Sequence, residues 1–205
     1  VVPLENPLHI IERSELGQYQ LELIRKYGNV EVRTGTAVGG VCDDHVLSDD
    51  GRKLHFRYLV GADGSMSVVR RHLGLRNGLY MGIQYNIPVV HDRLVWFLKP
   101  SLLMSGYGWI FPHRSYTSAG VFFNPGRVPA PVARKALNEF LYDYGMDYRD
   151  VRLEGAPVNC LCEGLKFDNI FLAGDAAGLV SAGTGEGIAY ALASGEDVAR
   201  NILDG

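Results

Sequence analysis

Twice in this chain a short apolar run ends in glycine and aspartate just before a helix begins. The first copy reads Tyr58-Leu-Val-Gly-Ala62 and then Asp63-Gly64, with Val68, Val69 and Leu73 at helical spacing behind it. The second reads Asn169-Ile-Phe-Leu-Ala173 and then Gly174-Asp175. A helix is predicted beyond it over Glu186–Leu203, with Ile188, Leu192, Gly195, Ala199 and Ile202 on one face. Runs of this kind are buried strands, and glycine at their ends lets the backbone turn sharply or approach a ligand closely. Ligands of open α/β sheets sit at the carboxyl edge of the strands, where such aspartates can meet sugar or ribityl hydroxyls. The same aspartates can instead cap the helices that follow. The residues alone leave both roles open.

Between the two copies the texture changes. Leu79–Val89, Arg93–Lys99, Tyr107–Phe111 and Thr117–Asn124 are rich in aromatic and β-branched residues, which suits consecutive antiparallel strands. An amphipathic helix is predicted over 131–144, opened by Pro131 and stopped by Gly145. Its apolar stripe is Val132, Ala136, Leu137, Phe140, Leu141 and Tyr144. Upstream, residues 14–27 read as a helix capped by Ser14 and ended at Gly28, with Leu16, Tyr19, Leu23 and Tyr27 recurring at helical spacing. Val30–Thr34 and Thr36–Val41 read as short strands, and Asp49-Asp-Gly51 as a hairpin turn entering Arg52–Phe56. One α/β domain is therefore expected in two pieces, 1–76 and 153–205, around an inserted sheet domain at 77–152.

Charge and composition narrow the function classes. Lys+Arg number 20 and Asp+Glu 23, a net charge of −3, so the basic excess of a nucleic-acid-binding face is not there. Nothing approaches the roughly 18 consecutive apolar residues of a membrane-spanning helix, and no signal peptide is visible. The three cysteines build no disulfide framework, and Cys160-Leu-Cys162 lacks the Cys-x-x-Cys spacing of a redox or zinc pair. A reducing, intracellular setting is expected. His9, His45, His55, His72, His91 and His113 show no metal spacing along the chain, so no metal site is expected. His113 and Arg114 can face a substrate, an electron donor or solvent. Tyr107, Trp109 and Phe111 alternate and so share one face of a strand, as core packing or as the wall of a long apolar substrate.

Several of these segments carry a resemblance. Gly61-Ala-Asp-Gly-Ser-Met-Ser-Val-Val-Arg70 resembles the Asp-Gly fingerprint of p-hydroxybenzoate-hydroxylase-type flavoproteins, and Leu172-Ala-Gly-Asp-Ala-Ala-Gly178 resembles their Gly-Asp fingerprint. Gly106-Tyr-Gly-Trp-Ile-Phe-Pro112 and Thr184-Gly-Glu-Gly-Ile-Ala-Tyr-Ala191 narrow it to the geranylgeranyl reductase family and its electron-transfer-flavoprotein-dehydrogenase relatives. The resemblance runs from about Arg13 to Ile202.

It implies an α/β fold with an α+β insertion: a Rossmann-like FAD-binding domain at 1–76 and 153–205 and an antiparallel-sheet substrate domain with one helix at 77–152. It implies FAD as cofactor, with Arg13, Val38, Asp63, Gly174, Asp175, Gly185, Gly187 and Ile188 around it, and Tyr107, Trp109 and Phe111 along the substrate. Asp175 is expected at the ribityl chain, Asp63 near the ribityl–pyrophosphate junction and Val38 at the adenine. Gly185, Gly187 and Ile188 are expected under the pyrimidine edge of the flavin. The implied activity is an FAD-dependent oxidoreductase that reduces isoprenoid double bonds in a lipid. Hydride would come from the reduced flavin and a proton from a donor that the residues do not name. The alternatives are a dehydrogenase exchanging electrons with a protein carrier or quinone, a flavin hydroxylase, and a cofactor-free remnant without activity. The implied partners are an apolar isoprenoid or other small molecule and an electron donor that is NAD(P)H, ferredoxin or a flavoprotein. The implied location is cytoplasmic, with peripheral membrane contact open.

One departure stands out: no Gly-x-Gly-x-x-Gly segment occurs in the 205 residues. That turn and the helix behind it usually cradle the pyrophosphate. The chain is therefore expected to be a fragment lacking the first βαβ unit, already at the family's middle over Val1–Ile10, and to bind FAD weakly or not at all.

Overall fold

A computed structural model describes residues 10–204. The reading of Val1–Ile10 lies, but for Ile10, outside the described residues, as does His9.

Helix α1 covers Arg13–Ile24; Glu12, not Ser14, stands at its N-cap, and it ends before Gly28. The Glu12 carboxylate is held by His113 and Tyr116, which fixes where the chain enters the helix. Tyr19 and Tyr27, expected on a buried face, are exposed. The predicted strand Val30–Thr34 is irregular, exposed chain. No strand lies beside it among the described residues to take its backbone hydrogen bonds.

Next come β1 (Val38–Val41), β2 (His45–Ser48) and β3 (Lys53–His55), an antiparallel sheet with the predicted turn at Asp49–Gly51. Strand β4 (Leu59–Gly61) and α2 (Val68–His72) carry the first strand–turn–helix unit. The central stretch folds as β5 (Leu79–Ile87), β6 (Val95–Phe97), a short α3 (Pro100–Leu103), β7 (Tyr107–Pro112), β8 (Thr117–Phe123) and α4 (Ala130–Asp143). Then follow β9 (Leu153–Asn159), β10 (Lys166–Phe167), β11 (Ile170–Leu172), α5 (Gly174–Ala177) and α6 (Ile188–Asp204).

Five of these strands make one antiparallel sheet in the order β6-β7-β8-β5-β9. The boundary expected at 152 cuts off β9, which pairs with β5 from Leu79↔Asn159 to Tyr85↔Leu153. The inserted sheet thus runs to Asn159. Leu-Glu-Gly-Ala-Pro-Val-Asn has little strand propensity of its own, and pairing with β5 imposes the extended form. Pro157 is tolerated because β9 is an edge strand.

One face of this sheet is the main core. Ile83, Tyr85, Ile87, Ile110, Ala119, Val121 and Phe123 pack against Ala133, Ala136, Leu137, Phe140 and Leu141 of α4. Val132 and Tyr144, expected in that helical stripe, are exposed. The opposite face carries Tyr80, Tyr107, Trp109, Phe111 and Phe122, of which Trp109 and Phe122 are buried.

A smaller sheet has the order β10-β11-β4, with β11 and β4 parallel and in register from Ile170↔Leu59 to Leu172↔Gly61. Helix α2 sits hard against it. A Cβ at Gly61 would lie 2.7 Å from Val69 Cβ and 2.8 Å from Leu172 Cδ2. Helix α6 does not bury the face that its apolar spacing suggests. Ser194 and Val198 are buried, while Ile188, Leu192, Gly195 and Ala199 are exposed. The small residues of α6 let it approach α5 closely, and the Gly174 N–H donates to Ser194 Oγ at 3.0 Å.

Candidate functional site

The parallel pair brings the two aspartates to one edge, because Asp63 follows the end of β4 and Asp175 the end of β11. Their chemistry then diverges. Asp63 is exposed, and its Oδ2 accepts the Val68 N–H at 2.7 Å, so it does cap α2. Ser67 completes the cap by accepting the Arg70 N–H at 2.9 Å. Asp175 is half-buried in the first turn of α5 and accepts from the Ser65 hydroxyl at 2.9 Å through Oδ2. Since Ser65 belongs to the Asp63 turn, that bond ties the two turns together. Oδ1 of Asp175 faces Gly187, where an added Cβ would come within 3.4 Å of it and within 3.2 Å of Val180 Cγ2.

Gly187 immediately precedes α6, so the free N–H groups and positive end of that helix lie beside the Asp175 carboxylate. Gly185, two residues earlier, has φ +67°, a conformation that side chains resist. Its missing Cβ would also sit 2.8 Å from Tyr107 Oη. The Tyr107 hydroxyl donates to the Thr184 carbonyl at 2.6 Å, which pins the glycine-rich turn to the start of β7. Burial pushes the Tyr107 phenol above its ordinary pKa, so it stays a neutral donor. Gly174, Asp175, Gly185, Gly187, Ile188 and Tyr107 are thus drawn into one cluster, with Asp63 on the same sheet edge.

Trp109 and Phe111 continue from Tyr107 along β7 on the face opposite α4, at ring spacings of 6.1 Å and 6.1 Å. The Trp109 indole lies over β8 and β5 because Gly120 and Gly82 leave room for it. A hydrogen-bond chain leads away from it. Trp109 Nε1 donates to Ser118 Oγ at 3.0 Å, and Ser118 Oγ donates to Gln84 Oε1 at 2.9 Å. Gln84 Nε2 donates to Asn86 Oδ1 at 3.3 Å, and Asn86 Nδ2 donates to Glu154 Oε2 at 3.0 Å. The face is therefore aromatic near the glycine-rich turn and polar at its far end.

Two expected residues stay outside the cluster. Val38 lies in the β1-β2-β3 sheet. Arg13 is exposed, and its neighbour Glu12 is bound to His113, just past the end of β7 opposite Tyr107. His113 and Arg114 lie there against α1, 2.8 Å from Glu12 and 3.5 Å from Glu15.

Arg70 is the residue that sequence reasoning passed over. It is only 1% exposed, and its guanidinium donates to the carbonyls of Ala176 at 3.1 Å, Leu161 at 2.8 Å and Arg76 at 2.9 Å. One signal was available: an arginine in the helix right after the Asp-Gly turn. Burial first and the Asp175 charge second push the Cys160 thiol up to about 11, which disfavours the reactive thiolate. The register also pairs His45 with His55, ten residues apart and invisible as a spacing, beside Asp44.

These residues fit one end of an FAD better than the other. Gly185 and Gly187 are packed too closely against Tyr107 and Val180 for a Cβ, and so present bare backbone next to a carboxylate and a helix N-terminus, which suits a ribityl chain and the polar edge of a flavin. The Arg70 guanidinium, in the helix behind the Asp63 turn, is spent on backbone carbonyls and is not available to a pyrophosphate.

No family model matches the chain. In fold it is similar to a geranylgeranyl bacteriochlorophyll reductase-like protein from Thermoplasma acidophilum, with a TM-score of 0.81 at 21% identity over 96% of this chain and 56% of that one. It is also similar to PqsL, a probable FAD-dependent monooxygenase from Pseudomonas aeruginosa, with a TM-score of 0.61 at 24% identity over 92% and 58%. The likeness to these two structures is one of fold, and the paired turns resemble those of the class of p-hydroxybenzoate-hydroxylase-type flavoproteins. In sequence the chain is 29% identical over 206 residues to digeranylgeranylglycerophospholipid reductase 3 of Methanosphaera stadtmanae, covering 91% of this chain and 52% of that protein. Within the class, then, it is the geranylgeranyl reductase type that this chain resembles, as its motifs imply. The chain spans about half the length of the relatives it matches.

Proposed function

We propose that the protein carrying this chain is an FAD-dependent reductase that saturates isoprenoid double bonds in a lipid. The observation that carries the reading is the Tyr107–Thr184 contact, which sets the aromatic sheet face opposite α4 directly against the Asp175–Gly187 cluster. In this reading Asp175 accepts hydrogen bonds from ribityl hydroxyls. Gly185, Gly187 and Ile188 bring the positive end of α6 under the polar edge of the flavin, where negative charge is favoured. A bound flavin supplies the two-electron reduction. Tyr107, Trp109 and Phe111 hold and orient the apolar chain and keep water away from it.

The two ends of the face support an amphiphilic substrate. An apolar cavity of about 400 Å³ lies beside the glycine-rich turn, lined by Trp96, Leu98, Tyr107, Gly183 and Thr184. A larger cavity of about 560 Å³ reaches the polar end, with Gln84, Trp109 and Glu154 in its wall. An isoprenoid tail matches the first and a polar headgroup the second. The test is anaerobic incubation of the reduced whole protein with a geranylgeranyl glycerolipid, followed by mass spectrometry. The reading predicts a gain of two hydrogens per double bond. An unaltered lipid, with oxygen-dependent hydroxylation or electron transfer to a quinone instead, contradicts it.

A further inference from the structure

The hairpin of β2 and β3 gathers three metal-ligating side chains that the flavin site does not use. His45 opens β2 and His55 closes β3, and the two are direct cross-strand partners. Partners in this position project to the same face of the pair, and the imidazole centroids stand 5.3 Å apart. Asp44 precedes β2 and lies between them. Its Oδ1 is 2.7 Å from His45 Nδ1 and its Oδ2 is 3.1 Å from His55 Nδ1. One donor atom from each of the three residues falls within 4.8 Å of the other two.

The backbone fixes this arrangement before any ion arrives. The Phe56 N–H donates to the Asp44 carbonyl at 3.1 Å, and the Cys42 N–H donates to the His45 carbonyl at 2.9 Å. His45 is braced with its side chain 15% exposed, whereas those of His55 and Asp44 are 66% and 70% exposed. An ion can therefore reach the group and keep water in its remaining positions. In the ion-free hairpin the Asp44 carboxylate hydrogen-bonds both Nδ1 atoms, an exposed contact that adds little in water and that an ion can replace by displacing the shared protons.

We propose that Asp44, His45 and His55 bind one divalent transition-metal ion, with Zn²⁺ as the reference ion. Two imidazole nitrogens and one carboxylate oxygen form a borderline donor set that suits Zn²⁺, Ni²⁺ or Cu²⁺. Ca²⁺ and Mg²⁺ require oxygen ligands and do not compete. The site is independent of the flavin reading and stands whether or not that reading holds. The ion clips the end of the hairpin.

The test is calorimetric titration of the chelator-washed 205-residue chain with zinc chloride, in parallel with three variants. The expected result is one ion per chain, unaffected by excess Mg²⁺. His55→Ala and Asp44→Asn, both at exposed positions, should each weaken binding about tenfold or more. His72→Ala, on α2, should leave it unchanged. Zinc should also raise the thermal midpoint of the unaltered chain and not that of His55→Ala. Absence of binding, equal affinity in His55→Ala and Asp44→Asn, or binding that disappears only when Cys42, Cys160 and Cys162 are changed to serine would each overturn the proposal.

Discussion

Burial separates two cysteines that are nearly adjacent in the chain. The Cys160 thiol is pushed up to about 11, while Cys162 is exposed. A folded-state pKa raised in this way contributes stability in full below the ordinary thiol value and loses it as pH rises toward about 11. At pH ~8 iodoacetamide should therefore label Cys162 well before Cys160, as read by peptide mass spectrometry. Equal labelling would show that Cys160 is not shielded. Gly178 presents a different constraint. It closes α5 at φ +77°, and a Cβ there would collide with the Leu161 carbonyl. Gly178→Ala should cost about 1–3 kcal/mol in urea unfolding, from strain and overpacking together. The strand–turn units that bring Asp175, Gly185 and Gly187 together were legible in the sequence because strand, turn and glycine spacing are local signals. Arg70 and Ser65 were not, since Leu161 lies 91 residues from Arg70 and Asp175 lies 110 residues from Ser65.

Arg70 is where single residues become a joint between elements. It projects from α2 and ties the end of α5 to the segment after β9. Arg70→Met should strand three carbonyls and cost about 3–5 kcal/mol in urea unfolding. Arg70→Lys should recover only part of that, because an ammonium cannot fork across several carbonyls. A loss under ~1 kcal/mol for Arg70→Met would mean that water replaces the guanidinium. The elements that periodicity foretold, β5, β7, β8 and α4, are those whose own side chains fill the main core. Those it misplaced take their form from a neighbour. Strand β9 is drawn out by β5 despite glycine and proline. Helix α6 turns its small-residue side inward because α5 lies so close.

At the scale of the whole molecule, apolar surface remains open on α6 and at β4. Ile188, Tyr190, Leu192 and Leu203 are exposed, as is Val60. Apolar faces of this kind bind partners or dyes. Leu192→Glu combined with Leu203→Glu should lower binding of anilinonaphthalene sulfonate while shifting unfolding free energy by no more than about 0.5 kcal/mol. Unchanged dye binding would place the open surface elsewhere. In the proposed function, the edge shared by β4 and β11 is a flavin site built on Asp175. The direct measurement is a titration of FAD with the 205-residue chain and with Asp175→Ala, followed by quenching of flavin fluorescence. With a ribityl and ring site, and no pyrophosphate cradle among the described residues, saturable binding weaker than ~1 μM is expected, with a further loss of about tenfold or more in Asp175→Ala. Equal affinity in the two proteins would contradict it.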